Sequence, residues 1–177
     1  MFTTAADAVT AFVTQHQAWS MPVVFVLAFG ESFAFLSLIF PATALLVGIG
    51  GIVGAAGLDG AGLWAAAAAG AALGDWLSYW LGMRYGHAIT GMWPLSRMPG
   101  LLARAAVFFE RWGFFAVFLG RFSGPLRASV PLVAGISRMP QLPFQIANIT
   151  SAVVWAVSLL WFGEFALQSL QGWFGGT

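Results

Sequence analysis

Four ionisable side chains interrupt stretches of sequence that are otherwise apolar. They are two acids and two bases, Glu31, Asp75, Arg121 and Arg127. A guanidinium group presents a planar fork of N–H donors that matches the oxygens of carboxylates and phosphates, and a desolvated carboxyl group can titrate near neutral pH. The set therefore has the chemistry to bind a phosphate and to carry a proton. Glu31 is the better proton carrier, whereas Asp75 is more typical of a hydrogen bond between helices.

The composition around these residues is that of a membrane protein. The chain has 177 residues, of which 60% are hydrophobic and 7% are charged, whereas soluble domains carry about 25% charged residues. The net charge of +1 gives no indication of a nucleic acid partner. Because cysteine and lysine are absent, thiolate and Schiff-base chemistry are excluded. No metal and no cofactor are expected.

The two buried bases lie on either side of a predicted break in a helix. Arg127 follows Arg121 by six positions, and on an unbroken helix this is a rotation of about 240° beyond a full turn, so the two side chains would point apart. Gly124 and Pro125 break such a helix, and broken backbone at membrane depth is tolerated only inside protein or along water. The break is therefore predicted to bring both guanidinium groups to one wet cavity that binds phosphate.

Neutral donors surround the same break. The hydroxyl groups of Ser123 and Ser129 and the free N–H groups of a turn at Gly124 are predicted to add hydrogen bonds to the phosphate. The alternative is that the arginines snorkel to an interface or only pair with the two acids. A charge at the centre of a bilayer costs about 2.5 to 3.5 kcal/mol on insertion scales, so all four charges are expected to face protein or water.

Long apolar segments must position these residues. Residues 1–19 have an amphipathic pattern that predicts a helix lying flat on the membrane, and they lack the positive charge of a secretory signal. Residues 62–83 and 142–170 predict spanning helices. Residues 21–53 and 112–137 are interrupted by charge, proline and glycine, which predicts a re-entrant hairpin in each.

The two interrupted segments share a spacing. Glu31 precedes Pro41 by ten residues, and Arg121 precedes Pro131 by ten. Paired apolar segments broken by glycine and proline are typical of transporters built from inverted repeats. The predicted fold is therefore a single all-α integral membrane domain over residues 1–177, in which two opposed re-entrant hairpins form an inverted repeat among spanning helices.

Sidedness is indicated by residues 84–111. This segment holds four arginines and a single acid, Glu110, so the positive-inside rule predicts that it is cytoplasmic. The number of crossings and the side of the amino terminus stay open.

Two stretches resemble the DedA family of integral membrane proteins. Residues 70–86 read GAALGDWLSYWLGMRYG and contain the family's Gly-Asp, tyrosine, glycine and arginine pattern, with the arginine one place later than usual. The matching residues are Gly74, Asp75, Tyr79, Gly82 and Arg84. Residues 108–139 contain the more specific pattern of Arg-Phe, proline, arginine and Ala-Gly. The matching residues are Arg121, Phe122, Pro125, Arg127, Ala134 and Gly135.

The resemblance implies structural and functional roles. Structural roles fall on Pro41, Pro125, Pro131, Gly74, Tyr79 and Gly135. Glu31 corresponds to the family's acid, but Thr43 stands where a second acid is usual, which leaves proton coupling open. The implied function is movement of a phosphate-bearing lipid between leaflets of the bacterial cytoplasmic membrane by a multi-pass protein. Undecaprenyl phosphate is the first substrate implied, phosphatidylethanolamine is the alternative, and a homo-oligomer is compatible with either.

Two other classes of function are left open. An intramembrane enzyme would use Ser123 as a nucleophile or His87 as a phosphatase residue, but no nucleophile motif surrounds either of them, and the protein is expected not to be an enzyme. A proton or ion transporter, or a membrane-homeostasis factor, would use the buried charges without a lipid.

Overall fold

Apolar sequence forms helices over most of the described part of the chain. A computed structural model describes residues 17–34, 36, 43–55, 60–91, 99–123, 127 and 129–174. The six helices within these residues are α1 (Gln17–Ser32), α2 (Thr43–Ala55), α3 (Ala61–Gly91), α4 (Pro99–Gly120), α5 (Ser129–Ile136) and α6 (Gln141–Phe174). The all-α prediction is confirmed for these residues. Most of the predicted interfacial helix over residues 1–19 lies outside them, as do Pro41, Gly124 and Pro125.

The helix α3 packs against α1, and small residues set the distance between them. A Cβ atom at Gly74 would lie 2.6 Å from the carbonyl oxygen of Phe29, and one at Gly70 would overlap the carbonyl oxygen of Phe25. Glycines four residues apart let two helix backbones approach closely within a membrane. The structural role predicted for Gly74 thus has a geometric basis.

A second pair of close contacts joins α3 to α5. A Cβ atom at Gly82 would overlap the carbonyl oxygen of Leu132, and one at Gly135 would overlap that of Tyr79. Pro131 is also buried in α5. The backbone of α5 therefore lies directly on the backbone of α3. This contact fixes the position of α5, the helix that follows Arg127 in the chain.

The helix α3 extends further than the sequence indicated. It continues from the predicted end at residue 83 to Gly91, with non-helical backbone angles at Tyr85 (φ −116°, ψ 16°). The first proline after this point in the sequence is Pro94, so no residue before it forces the helix to end. The helix α4 bends at Gly113, whose φ of +31° is readily accessible only to glycine.

Many large apolar side chains lie on the outside of the helices, and many of the buried side chains between them are small. The exposed set includes Val26, Leu119, Leu142, Trp161 and Phe162, each more than half exposed. Small residues such as Ala28, Ala67, Ala71, Ala152 and Ala156 are buried. This distribution suits a protein whose surface contacts lipid, because a soluble protein rarely exposes so large an apolar area.

Within the described residues, one helix is long and apolar enough to cross a membrane by length and composition, Gln141–Leu159 of α6. It overlaps the segment predicted to span the membrane at residues 142–170, beginning one residue earlier. The helix α3 does not meet this criterion. A multi-pass topology, the two re-entrant hairpins and the inverted repeat stay predictions.

Candidate functional site

Arg121 is held in a buried ion pair at the end of α4. The helix ends at Gly120, and the side chain of Arg121 turns inward with the residue only 4% exposed. Its Nη2 atom forms an ion pair with Oδ2 of Asp75 on α3 and donates to Oδ1 of Asn148 at 2.7 Å. Its Nε atom donates to Oγ of Ser151 at 2.9 Å. The charge is thus balanced by an acid and further stabilised by neutral acceptor atoms of Asn148 and Ser151.

Asn148 links this ion pair to the helix packing. The residue is fully buried on α6, and its Nδ2 atom donates to the carbonyl oxygen of Ala72 on α3 at 2.9 Å. One amide side chain therefore joins α3, the end of α4 and α6. Such a network is rigid because each polar group depends on its neighbours for hydrogen bonds.

Arg127 makes a looser ion pair with the other acid. Its Nη1 atom lies 3.4 Å from Oε1 of Glu31, and Nη2 donates to Oγ of Ser32 at 3.3 Å. The guanidinium carbon lies 4.4 Å from the centroid of the Trp155 ring, which is cation–π geometry. The contacts of Arg127 are longer than those of Arg121, and its side chain is 10% exposed.

Glu31 has one engaged oxygen and one free oxygen within the described residues. The Oγ1 hydroxyl of Thr43 donates to Oε1, whereas Oε2 is buried and has no hydrogen-bond partner in the part of the chain that the structure describes. A buried acceptor without a donor is costly. Thr43, the residue that replaces the family's second acid, thus hydrogen-bonds to Glu31, the first acid.

The chain around Glu31 is fixed to α3. The backbone N–H of Ala34 donates to Oγ of Ser78 at 3.0 Å, and the same hydroxyl donates to the carbonyl oxygen of Gly74 at 2.9 Å. Glu31 lies near the carboxyl end of α1, where the helix dipole disfavours a negative charge. The nearby guanidinium group of Arg127 offsets that cost.

Both arginines contact the same face of α6. Asn148, Ser151 and Trp155 lie three and four residues apart, so their side chains share one face of the helix. Arg121 contacts the first two, and Arg127 lies over the third. The structure therefore brings together the four ionisable residues that the sequence analysis singled out, as two ion pairs side by side.

The predicted neutral donors are placed differently. Ser123 is exposed, and its hydroxyl donates to the carbonyl oxygen of Gly120 at 2.6 Å rather than to the charged cluster. Ser129 is exposed at the first residue of α5. Gly124 lies outside the described residues.

Tyr79 supports the site from α3. Its hydroxyl donates to the carbonyl oxygen of Met139 at 2.6 Å, and its ring stacks on Phe144 with centroids 4.1 Å apart. The contact fixes the connection between α5 and α6, which is consistent with the structural role predicted for Tyr79.

The side chain of His87, the residue of the enzyme alternative, lies outside the described part of the chain. No group of three or more metal-ligating side chains lies together within the described residues.

Sequence reasoning missed the residues that hold the charges. They are Ser32, Asn148, Ser151 and Trp155. A usable signal existed for two of them, because Asn148 and Ser151 are polar residues three apart in an apolar helix, and polar groups inside membrane helices are usually functional or paired.

Comparison with known proteins identifies the family. The VTT domain profile matches residues 40–165, which is more than half of the chain. The chain belongs to the VTT domain family, the DedA family of membrane proteins, and the resemblance seen in the sequence is confirmed. No solved structure matches.

The relatives are bacterial membrane proteins. The chain is 35% identical over 144 residues to inner membrane protein YabI of Escherichia coli, covering 81% of this chain and 57% of YabI. It is 32% identical over 149 residues to inner membrane protein YghB of Escherichia coli, covering 84% of this chain and 68% of YghB. It is 30% identical over 146 residues to membrane protein BU139 of Buchnera aphidicola, covering 82% of this chain and 57% of that protein. The chain thus spans a little over half of the length of YabI and BU139.

Proposed function

We propose that this membrane protein moves a phosphate-bearing lipid between leaflets by exchanging one ion pair for another. The observation that carries the proposal is the contrast between the two pairs. Arg121 is locked by Asp75, Asn148 and Ser151, whereas Arg127 lies 3.4 Å from Glu31 and, within the described residues, has one neutral hydrogen-bond partner, Ser32 at 3.3 Å. An incoming anion can therefore open the Arg127–Glu31 pair at a lower free-energy cost than the Arg121–Asp75 pair.

In the proposed cycle, a phosphate headgroup takes the place of Glu31 on Arg127. Removing a partner from a buried ion pair costs about 3 to 5 kcal/mol, and a phosphate oxygen restores the lost interaction because it matches the guanidinium fork. Arg121 supplies a second positive charge beside the same face of α6. The lipid tails stay in the bilayer while the headgroup crosses in contact with protein.

Glu31 is the group that couples the cycle to protons in this proposal. Once displaced, its carboxylate keeps the hydroxyl of Thr43 but loses its counter-ion, which favours proton uptake. Release of that proton to the other side restores the ion pair and expels the headgroup. Because Thr43 is a neutral donor, a single carboxyl group carries the proton.

The same proposal includes the topology that the mechanism needs. Two opposed re-entrant hairpins, within a multi-pass fold in the bacterial cytoplasmic membrane, give the headgroup access from both leaflets. The end of α1 at Ser32 and the end of α4 at Gly120 support such hairpins, since an ion-paired residue, Glu31 or Arg121, lies at each of these ends.

The proposal predicts that Arg127→Ala abolishes leaflet exchange in liposomes. Labelled undecaprenyl phosphate and labelled phosphatidylethanolamine are tested separately, because both carry a phosphate and the first is the favoured substrate. The matched control is Arg104→Ala, which removes an exposed arginine of α4 and is expected to retain full exchange. Full exchange by the Arg127→Ala protein would refute the proposal.

A second candidate function is a proton or ion transporter without a lipid substrate. The Oε2 atom of Glu31, which is buried and has no partner among the residues that the structure describes, favours it, because such an oxygen can accept a proton or a cation. Proton flux through purified protein in vesicles that contain no transported lipid would support this candidate over the lipid carrier.

A further inference from the structure

A second basic site lies away from the two ion pairs, where α3 meets the end of α5. A cavity of about 270 Å³ is lined by residues from these two regions. The lining residues are Gly82, Met83, Arg84, Gly86, Thr90, Ile136 and Arg138. Two arginines with two apolar side chains, Met83 and Ile136, form a lining suited to an anion that carries an apolar portion.

Arg138 occupies a position where helices usually have glycine. The N–H of Met139 donates to the carbonyl oxygen of Ala134 at 3.0 Å, and the N–H of Arg138 donates to that of Gly135 at 3.0 Å. This pair of bonds is the Schellman motif that ends a helix. Its left-handed residue is Arg138, with φ of +54°, a conformation that costs roughly 1 to 2 kcal/mol for a residue with a Cβ atom.

The guanidinium group of Arg138 is not needed to satisfy this helix end. Backbone N–H groups already bond to the carbonyl oxygens of Val133, Ala134 and Gly135. Strained backbone at a non-glycine residue points to a role for the side chain. Glycine at this position would allow the same backbone hydrogen bonds at a lower conformational free energy.

Neither arginine of the cavity is neutralised within the described part of the chain. The ion pairs described there involve Arg121 and Arg127, and the guanidinium carbon of Arg84 lies over the ring of Tyr85, 5.6 Å from its centroid. Two like charges without a counter-ion repel each other, and an anion bound between them removes the repulsion.

We propose that the cavity between Arg84 and Arg138 is a binding site for an anionic phosphate group, separate from the carrier site at Arg127. Arginine forks bind phosphate oxygens by paired hydrogen bonds. The phosphate comes from an acidic phospholipid headgroup or from free phosphate in the adjoining water, and Met83 and Ile136 favour the lipid.

The test measures binding to the purified full chain in a neutral detergent. The probes are dioctanoyl phosphatidylglycerol, inorganic phosphate and dioctanoylglycerol, which has the same tails without a phosphate. Arg84→Gln and Arg138→Gly are each expected to weaken phosphatidylglycerol binding about tenfold or more, the loss that follows from removing a hydrogen bond to a charged group. Dioctanoylglycerol binding is expected to be unchanged.

The Arg138→Gly variant separates binding from folding. Glycine is the preferred residue at this helix end, so the melting temperature is expected to be equal or higher while binding falls. Arg111→Gln removes an exposed arginine on α4 and serves as the control. Measurements are repeated in the Arg127→Ala protein, in which the carrier site is disabled, so that failure of one site is distinguished from failure of the other.

The outcomes assign the source of the phosphate. Weakened binding of phosphatidylglycerol alone supports a lipid headgroup, and equal weakening for inorganic phosphate supports a site for free phosphate. Unchanged binding of both probes in Arg84→Gln and Arg138→Gly would overturn the proposal. A lower melting temperature of Arg138→Gly with unchanged binding would also overturn it and assign Arg138 to the helix end.

Discussion

At the scale of single residues, the two ion pairs differ in how firmly their partners hold them. Asp75 faces an arginine that also bonds to Asn148 and Ser151, and the whole group is buried. Glu31 faces an arginine with longer contacts and keeps one oxygen without a partner in the described residues. The first pair is therefore assigned to stability, and the second to exchange.

Asp75→Asn is expected to lower the free energy of unfolding by about 3 to 5 kcal/mol, because it leaves Arg121 buried without a counter-charge. Denaturant titration in mild detergent measures the change. Glu110→Gln, which neutralises an exposed acid on α4, is the control and is expected to change little. Equal stability of the Asp75→Asn protein and the wild type would contradict the assignment of this pair to stability.

Thr43→Val is expected to lower the free energy of unfolding by about 1 kcal/mol, because the hydroxyl hydrogen bond to Glu31 is lost. Leaflet exchange is also expected to fall, because Glu31 then depends on Arg127 alone. Thr43→Ser keeps the hydroxyl group and is expected to restore both properties. Thr150→Val is the control, since that hydroxyl bonds to the backbone of its own helix. If Thr43→Val and Thr43→Ser behave alike, the hydroxyl has no role at Glu31.

At the scale of elements, close backbone contacts on α3 hold the segments that carry the charges. Gly135→Ala is expected to destabilise the protein by about 1 to 3 kcal/mol, because its Cβ would overlap the backbone of Tyr79 and overpacking has this cost. The matched change Gly48→Ala lies in α2 with no atom within 4 Å of the new Cβ. It is expected to be neutral or stabilising, since alanine favours helix. Thermal unfolding measures the melting temperatures of the two variants. A lower melting temperature for Gly48→Ala than for Gly135→Ala would contradict the packing.

Sequence pattern predicted the positions of the charges better than it predicted their partners. Charge, glycine and proline occur together after Arg121, which predicted a break between the two arginines, and the structure ends α4 at Gly120, before both of them. The pairing of Arg121 with Asn148 could not be predicted from the sequence pattern, because it depends on which face of α6 turns inward. The length of α3 beyond residue 83 was missed because a charge at Arg84 does not by itself end a helix.

At the scale of the whole molecule, many large apolar side chains lie on the outside of the described helices, and the four charges of the two ion pairs lie within. The family assignment agrees with this distribution, since VTT domain relatives such as YabI are membrane proteins. Because the headgroup would cross in contact with the buried charges, transport depends on opening the interior without exposing charge to lipid. Exchange of Glu31 for a phosphate at Arg127 meets that requirement, as the number of buried ion pairs stays constant.

Glu31→Gln tests this exchange most directly, because it removes the competitor for Arg127 while keeping the shape of the side chain. Headgroup affinity and the rate of leaflet exchange are measured on the same preparation, with Glu110→Gln as the control. The exchange account predicts tighter headgroup binding together with slower leaflet exchange, because the bound phosphate is no longer displaced. Weaker binding together with slower exchange, or no change in either quantity, would contradict it.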